Sequence, residues 1–212
     1  DINGPGPQVD EVARDALLQR LAHVAPGHDA VVVAGSLPRG ISPEWLRELL
    51  LMLKAQGLKV ALDSSGEALR AGLQAAPWLV KPNTEELGEV LGLPVQAADE
   101  QRAAARRLLA TGVEHVVVSQ GEQGVNWFAA GLALHAQPSK VRIASTVGAG
   151  DSLVAGMVHG LLQAEVPAAT LRRATAIAAQ AVTQVGFGIY DREQLERLEA
   201  AVRLTEQQEE GC

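Results

Sequence analysis

Residues 58–83 contain one complete unit of the fold. Leu58-Lys-Val-Ala-Leu62 is a short apolar run that reads as a strand, Asp63-Ser-Ser-Gly66 as a loop, residues 67–73 as a short helix, and Trp78-Leu-Val80 as a second strand ending at Lys81-Pro82-Asn83. Two strands joined through a helix lie side by side and parallel. The alternation repeats in both directions from this unit. Upstream, Val9, Val12, Ala13, Ala16, Leu17, Leu21 and Val24 recur at helical steps and predict a helix over 8–24. Ala30-Val-Val-Val-Ala34 is wholly apolar, as expected for a strand buried on both faces. Ser42-Pro43-Glu44 opens a helix that runs to about Gln56 and is stopped by Gly57.

Downstream, a helix over 84–91 is capped by Asn83 or Thr84, and another covers 99–110. A strand over 115–119 leads into Gln120-Gly-Glu-Gln-Gly124, and residues 125–143 read as short antiparallel strands around a turn near Ala130-Gly131. Two Ala-rich helices follow, near 150–163 and 167–184, and a last one begins near Asp191. The expected class is α/β, with a mostly parallel central sheet covered by helices on both faces. Such sheets bind ligands at the carboxyl ends of their strands. The loops over 35–40, 63–66, 81–86, 119–124 and 144–151 are therefore the ones that carry function.

Composition narrows the class. The 212 residues are 47% hydrophobic, enough to fill a sizeable core and too many for a disordered chain. With 18 basic and 25 acidic residues the net charge is -7, spread without a basic stripe, which argues against a nucleic-acid partner. No apolar run is long enough to span a bilayer; Leu49-Leu50-Leu51-Met52-Leu53 stops at Lys54. The one cysteine, Cys212, supports neither a disulfide nor a cysteine-based zinc site, and the composition suits a reducing cytoplasm. The first residue is Asp1, and Asp-Ile-Asn-Gly-Pro-Gly-Pro reads like a loop inside a longer polypeptide.

Ser145-Thr-Val-Gly-Ala-Gly-Asp151 leads into an apolar helix. Small residues at Gly148, Ala149 and Gly150 leave the first amides of that helix open to a phosphate or a developing anion. Asp151 stands where it could take a proton from a hydroxyl nucleophile; a tight turn with Asp151 as the N-cap fits the same residues. In Lys81-Pro-Asn-Thr-Glu-Glu86, the lysine could meet a phosphate, and Asn83 with Glu86 could hold a hydrated magnesium ion. A capped helix with an acidic first turn accounts for the same pattern. Ser119-Gln-Gly-Glu-Gln-Gly124 could approach a nucleotide or be a plain hairpin turn. It is not a Walker A loop, since no Gly-Lys-Ser/Thr follows, and it is no dinucleotide fingerprint, since no helix follows. Ser36 and Arg39 lie in the loop after the first strand, where Arg39 could pair with a substrate phosphate or simply be solvated. His23, His28, His115, His135 and His159 are scattered in no metal-ligand spacing and read as surface or packing residues.

The order of these motifs is more specific than any one of them. Gly35-Ser-Leu-Pro38, Asp63-Ser-Ser-Gly66, Lys81-Pro-Asn-x-x-Glu86, Ser119-x-Gly-x-x-Gly124 and Gly148-Ala-Gly-Asp151 together resemble the ribokinase-like (PfkB) carbohydrate kinases over nearly the whole chain. The stretch 62–83, Ser145-Thr-Val-Gly-Ala-Gly-Asp-Ser152 and Ala181-Val-Thr-Gln-Val-Gly-x-Gly-Ile189 are similar to the branch that acts on fructose 1-phosphate. Ser145 and Val147, where many relatives carry an acidic residue and threonine, point to the same branch.

The resemblance implies a three-layer sandwich and ATP-dependent phosphorylation of D-fructose 1-phosphate at its 6-hydroxyl, giving fructose 1,6-bisphosphate. It implies Asp151 as base, the amides of 148–150 as anion hole, and Asn83 and Glu86 acting on Mg2+ through water. Lys81, Asn83, Ser119, Gln120, Gly121, Glu122, Gln123, Gly124, Gly150 and Asp151 would bind ATP, with a helix around 180–188 flanking the nucleotide. Ser36, Arg39 and Asp151 would face the sugar phosphate. It also implies that residues 1–212 are the C-terminal two-thirds of a single kinase domain. The first strands and a small β lid, through which relatives form homodimers, would be missing. A kinase of tagatose 6-phosphate or another sugar, and a catalytically idle nucleotide-binding fragment, are the alternatives.

Overall fold

The computed structural model describes residues 6–186 and 188–207, so Asp1, Phe187 and Cys212 lie outside the described residues. The elements run α1 (Glu11–Val24), β1 (Ala30–Ala34), α2 (Pro43–Ala55), β2 (Lys59–Asp63), α3 (Gly66–Leu73), β3 (Leu79–Val80), α4 (Thr84–Leu91), α5 (Ala98–Ala110) and β4 (His115–Ser119). After a 3-10 turn at Gly121–Gln123 come β5 (Val125–Ala129), β6 (Leu132–Gln137), α6 (Ala149–Leu162), α7 (Pro167–Ala181), α8 (Arg192–Ala201) and β7 (Arg203–Glu206). The strands form one seven-stranded sheet in the order β1-β2-β3-β4-β5-β6-β7. β1 to β4 pair parallel and β4 to β7 antiparallel, so β1–β4 and β6 point one way and β5 and β7 the other. The sheet is mostly parallel, as expected.

Successive strand residues feed opposite layers, which explains the unbroken apolar runs. Val60, Leu62, Val80, Val116 and Val118 pack with Leu50 and Leu53 of α2, Leu69 of α3, Leu87 of α4 and Leu108 of α5. Ala61, Leu79, Val117 and Trp127 turn the other way, onto Leu153 and Met157 of α6 and Leu171 and Ala174 of α7. The result is the expected three layers. α6 and α7 approach closely because Gly156 has no side chain; a Cβ there would lie 2.6 Å from the Ala174 Cα.

Four expectations are corrected. The first helix begins at Glu11, where the Asp10 carboxylate accepts the Ala13 N–H at 2.8 Å, and none of its residues is buried. Val12 and Leu17 of the expected stripe stay exposed. β1, at the sheet edge with β2 as its one partner among the described residues, is covered on one face only: Val31 and Val33 pack onto the α2–α5 layer, while Val32 on the other face is 45% exposed. The strand pair of 125–143 ends at Gln137, where Pro138 removes the next ladder donor. The helix expected to reach 184 ends at Ala181. β7 was not expected; it extends the antiparallel edge beside β6.

His115 of β4 is a packing residue, with Trp78 and Trp127 at ring-centroid distances of 5.5 and 5.7 Å. Trp127 Nε1 donates to its Nδ1 at 3.4 Å. Burial, and secondarily the Lys59 ammonium, lower its pKa from 6.5 to about 4. As pH falls through 6.5 the unfolded chain therefore takes up a proton that the folded one refuses. The stability this residue contributes is complete above about pH 6.5 and declines toward pH 4. We expect His115→Gln to reduce the loss of unfolding free energy between pH 7 and 4.5; an unchanged loss would refute this role.

Candidate active site

Backbone hydrogen bonds draw the carboxyl ends of β1 to β4 into one row. The Gly35 N–H donates to the Asp63 carbonyl at 2.9 Å, and the Ser64 hydroxyl donates to the Gly35 carbonyl at 2.9 Å. The Lys81 N–H donates to the Leu62 carbonyl at 3.2 Å, and the Ser119 N–H to the Pro82 carbonyl at 3.1 Å. Loops 35–40, 63–66, 81–86 and 119–124 thus meet at one end of the sheet, where a doubly covered sheet takes its ligand.

The buried centre of this row is an ion pair. Lys81 is 7% exposed, and its Nζ lies 3.1 Å from Asp63 Oδ1. The N-terminus of α6 sits over it: a Cβ on Gly150 would be 3.3 Å from Lys81 Nζ and 3.7 Å from Asp63 Oδ2. Any larger residue at 150 would crowd the pair. Asp63 titrates above the usual 3.8: burial raises it, Lys81 opposes by charge and hydrogen bond, and the Glu86 and Asp151 charges raise it further. Asp63, Lys81, Glu86 and Asp151 therefore share one electrostatic neighbourhood. Sequence reasoning assigned Asp63 no role, although loop 63–66 stood among those expected to matter.

The 145–151 motif is placed by both its neighbours. The N–H groups of Ala144 and Ser145 donate to the Val182 carbonyl at 2.7 and 3.2 Å, tying the approach to the end of α7. Gly148, at φ 80, is the N-cap of α6, a backbone state that a side chain would strain. Asp151 is not the N-cap; it is the third residue of the helix and is exposed. Among the described residues, the N–H groups of Gly150 and Asp151 have no acceptor, so the positive end of the helix is open.

Asn83 and Glu86 form a reciprocal capping box. Asn83 Oδ1 accepts the Glu86 N–H, and Glu86 Oε2 accepts the Asn83 N–H, both at 2.8 Å. Capping consumes one oxygen of each and leaves Glu86 Oε1 without a partner among the described residues. No group of three or more His, Cys, Asp or Glu among them could hold a metal directly. One free carboxylate oxygen fits an ion that keeps most of its own water, as magnesium does.

The 119–124 segment is a hairpin connection between β4 and β5 with Gly121, Glu122 and Gln123 exposed. The Gln120 N–H donates to the Gly124 carbonyl at 2.9 Å, and a Cβ at Gly124 would lie 2.2 Å from the Ala136 carbonyl oxygen. Ser36 adjoins Gly35 in the row and is exposed. Arg39 turns away from it, its Nε donating to the Gly6 carbonyl at 3.3 Å. The 180–188 segment is helical only as far as Ala181, and its Phe187 lies outside the described residues. No helix of the described residues is long and apolar enough to cross a membrane.

The pfkB family carbohydrate kinase model matches residues 10–193. The chain is 45% identical over 205 residues to the 1-phosphofructokinase of Vibrio cholerae, covering 97% of this chain and 65% of that protein. It is 47% identical over 176 residues to the 1-phosphofructokinase of Escherichia coli, covering 83% and 56%. The solved phosphofructokinase-2 from Escherichia coli in complex with potassium superposes with a TM-score of 0.85 at 30% identity, covering 93% of this chain and 64% of that one. The chain spans about two-thirds or less of the length of these relatives. A match of the family model over residues 10–193 leads to one assignment: the chain belongs to the pfkB family of carbohydrate kinases.

Proposed function

We propose that this chain is the nucleotide-binding and catalytic part of a kinase that transfers the γ-phosphoryl group of ATP to the 6-hydroxyl of D-fructose 1-phosphate. The observation that carries this reading is the N-terminus of α6, with Asp151, standing over the Lys81–Asp63 pair. Phosphoryl transfer asks for alignment and charge stabilisation more than for covalent catalysis. Asp151 accepts the hydroxyl proton as that oxygen bonds to the γ-phosphorus. The bond from phosphorus to the bridging oxygen breaks, and ADP leaves. The open amides at the start of α6 face the equatorial oxygens, and Lys81 offsets charge on the ATP phosphates. Magnesium, when bound, supplies further positive charge to those phosphates, with Glu86 Oε1 and Asn83 acting through its water. The 119–124 hairpin and residues 180–188 flank the nucleotide, and Ser36 lies toward the sugar; Arg39 would have to leave the Gly6 carbonyl to meet it. Self-association through a lid is part of the same reading. The names of the relatives above favour fructose 1-phosphate over other sugars.

The experiment is ATP-dependent ADP release against fructose 1-phosphate, fructose 6-phosphate and tagatose 6-phosphate. The expected result is the highest kcat/KM with fructose 1-phosphate. A higher value for either other sugar would reassign the substrate. No turnover on any, with ATP still bound, would make the chain a nucleotide-binding fragment.

A further inference from the structure

A buried amide chain runs beneath the 119–124 hairpin. Gln101 of α5 is 1% exposed and Asn126 of β5 is 2% exposed. Gln101 Nε2 donates to the Gln96 carbonyl at 3.4 Å and to Gln120 Oε1 at 3.1 Å. Gln101 Oε1 accepts from Asn126 Nδ2 at 2.6 Å. Asn126 Oδ1 in turn accepts from Gln207 Nε2 at 2.7 Å and meets His135 Nδ1 at 2.8 Å. Direction is fixed along the whole chain. The Gln96 carbonyl can only accept, so Gln101 must turn its nitrogen that way, and both Nε2 hydrogens are then used. Gln120 is left to offer its oxygen inward.

We propose that Gln101 is a positioning residue that locks the Gln120 amide so that it presents its Nε2 donors, and not its oxygen, to an acceptor atom of the bound nucleotide. This rests on the reading of the hairpin as nucleotide-facing. Gln120 is half-exposed, and its Nε2 has no partner among the described residues. A buried polar chain is retained at a cost unless its members are satisfied, and here every inner amide nitrogen and oxygen has a partner. The chain ends at Gln120, whose free side-chain group is a donor. An acceptor on the ligand is the chemistry this selects; a donor in the same place would meet repulsion.

The test is a double-mutant cycle on ATP binding, measured by titration, with kcat and KM for ATP beside it. Gln101→Glu keeps the shape and still accepts from Asn126, but can no longer donate to Gln120 Oε1, so Gln120 must flip and turn its oxygen outward. The expected result is an ATP dissociation constant and KM raised about tenfold, with kcat and the KM for sugar phosphate unchanged, for a hydrogen bond replaced by a repulsion. Gln120→Ala gives a smaller rise, and adding Gln101→Glu to it changes nothing further. Three results overturn the proposal: unchanged ATP affinity in Gln101→Glu, unchanged affinity in Gln120→Ala, or a Gln101→Glu effect that persists in the Gln120→Ala background. If Gln101→Glu does not fold, Gln101→Met, which cannot donate to Gln120 Oε1, takes its place in the cycle with the same overturning results. Failure of the unmodified protein to bind ATP would instead refute the nucleotide reading.

Discussion

Asp151→Asn is expected to lower turnover by about a thousandfold, within the range for removing a general base, while the KM for ATP stays within about twofold. The substitution preserves size and hydrogen-bonding shape and removes only the ability to take a proton. Asp151 is the third residue of α6, exposed, and is not the group that caps the helix, since Gly148 holds that place. The helix loses one favourable first-turn charge, worth on the order of 0.3–1 kcal/mol, so the protein stays folded and the loss reads as chemistry. The amides of Gly150 and Asp151 are untouched and stay open to an anion. Steady-state kinetics on both substrates, with thermal unfolding as control, provide the check. Turnover within tenfold of the unmodified protein would remove Asp151 as the base. A KM for ATP that rose in step with the fall in kcat would make it a binding group instead.

What the sequence disclosed followed from how local each signal is. β1 and β4 lie where expected because turn residues bracket each apolar run. The burial of β1 was misread because an apolar run is covered on both faces only when helices lie over both, which no local pattern reports. β7 was missed because Arg203-Leu-Thr-Glu206 is short, mostly polar and abuts a helix, so neither period stands out. In the site, Gly148–Asp151 and Asn83–Glu86 were visible as contiguous motifs. Asp63 was left without a role because its partner lies outside its own segment. The parallel register, Ala61 to Leu79 and Leu62 to Val80, is what brings it beside Lys81. Gln101 and Asn126 were silent for the same reason: a glutamine on a helix and an asparagine on a strand read as surface until the packing joins them.

Lys81→Met should be the most destabilising single change at the site, costing about 3 kcal/mol, because it strands a buried carboxylate. The two side chains are only 8% and 16% exposed, so water does little to relieve Asp63 once its cation is gone. The pair itself is not expected to be what stabilises the fold. The Asp63 carboxyl remains above its ordinary value even with an ammonium 3.1 Å away, so burial, together with the Glu86 and Asp151 charges, outweighs the attraction. An apolar pair of similar volume should then do as well. Lys81→Met combined with Asp63→Leu is expected to regain most of the lost stability, measured by urea unfolding at pH 7.5, while turnover stays at least a hundredfold down. pH separates the two variants. In Lys81→Met the folded chain holds the Asp63 proton to higher pH than the unfolded chain does. Its deficit should therefore be full at neutral pH and shrink as pH is lowered toward the ordinary carboxyl value of 3.8. The double variant, having no carboxyl there, should show no such recovery. If it proves as unstable as Lys81→Met, the ion pair stabilises the fold in its own right. Recovery of stability without turnover would leave Lys81 and Asp63 as groups kept, at a cost in desolvation, for the proposed phosphoryl transfer.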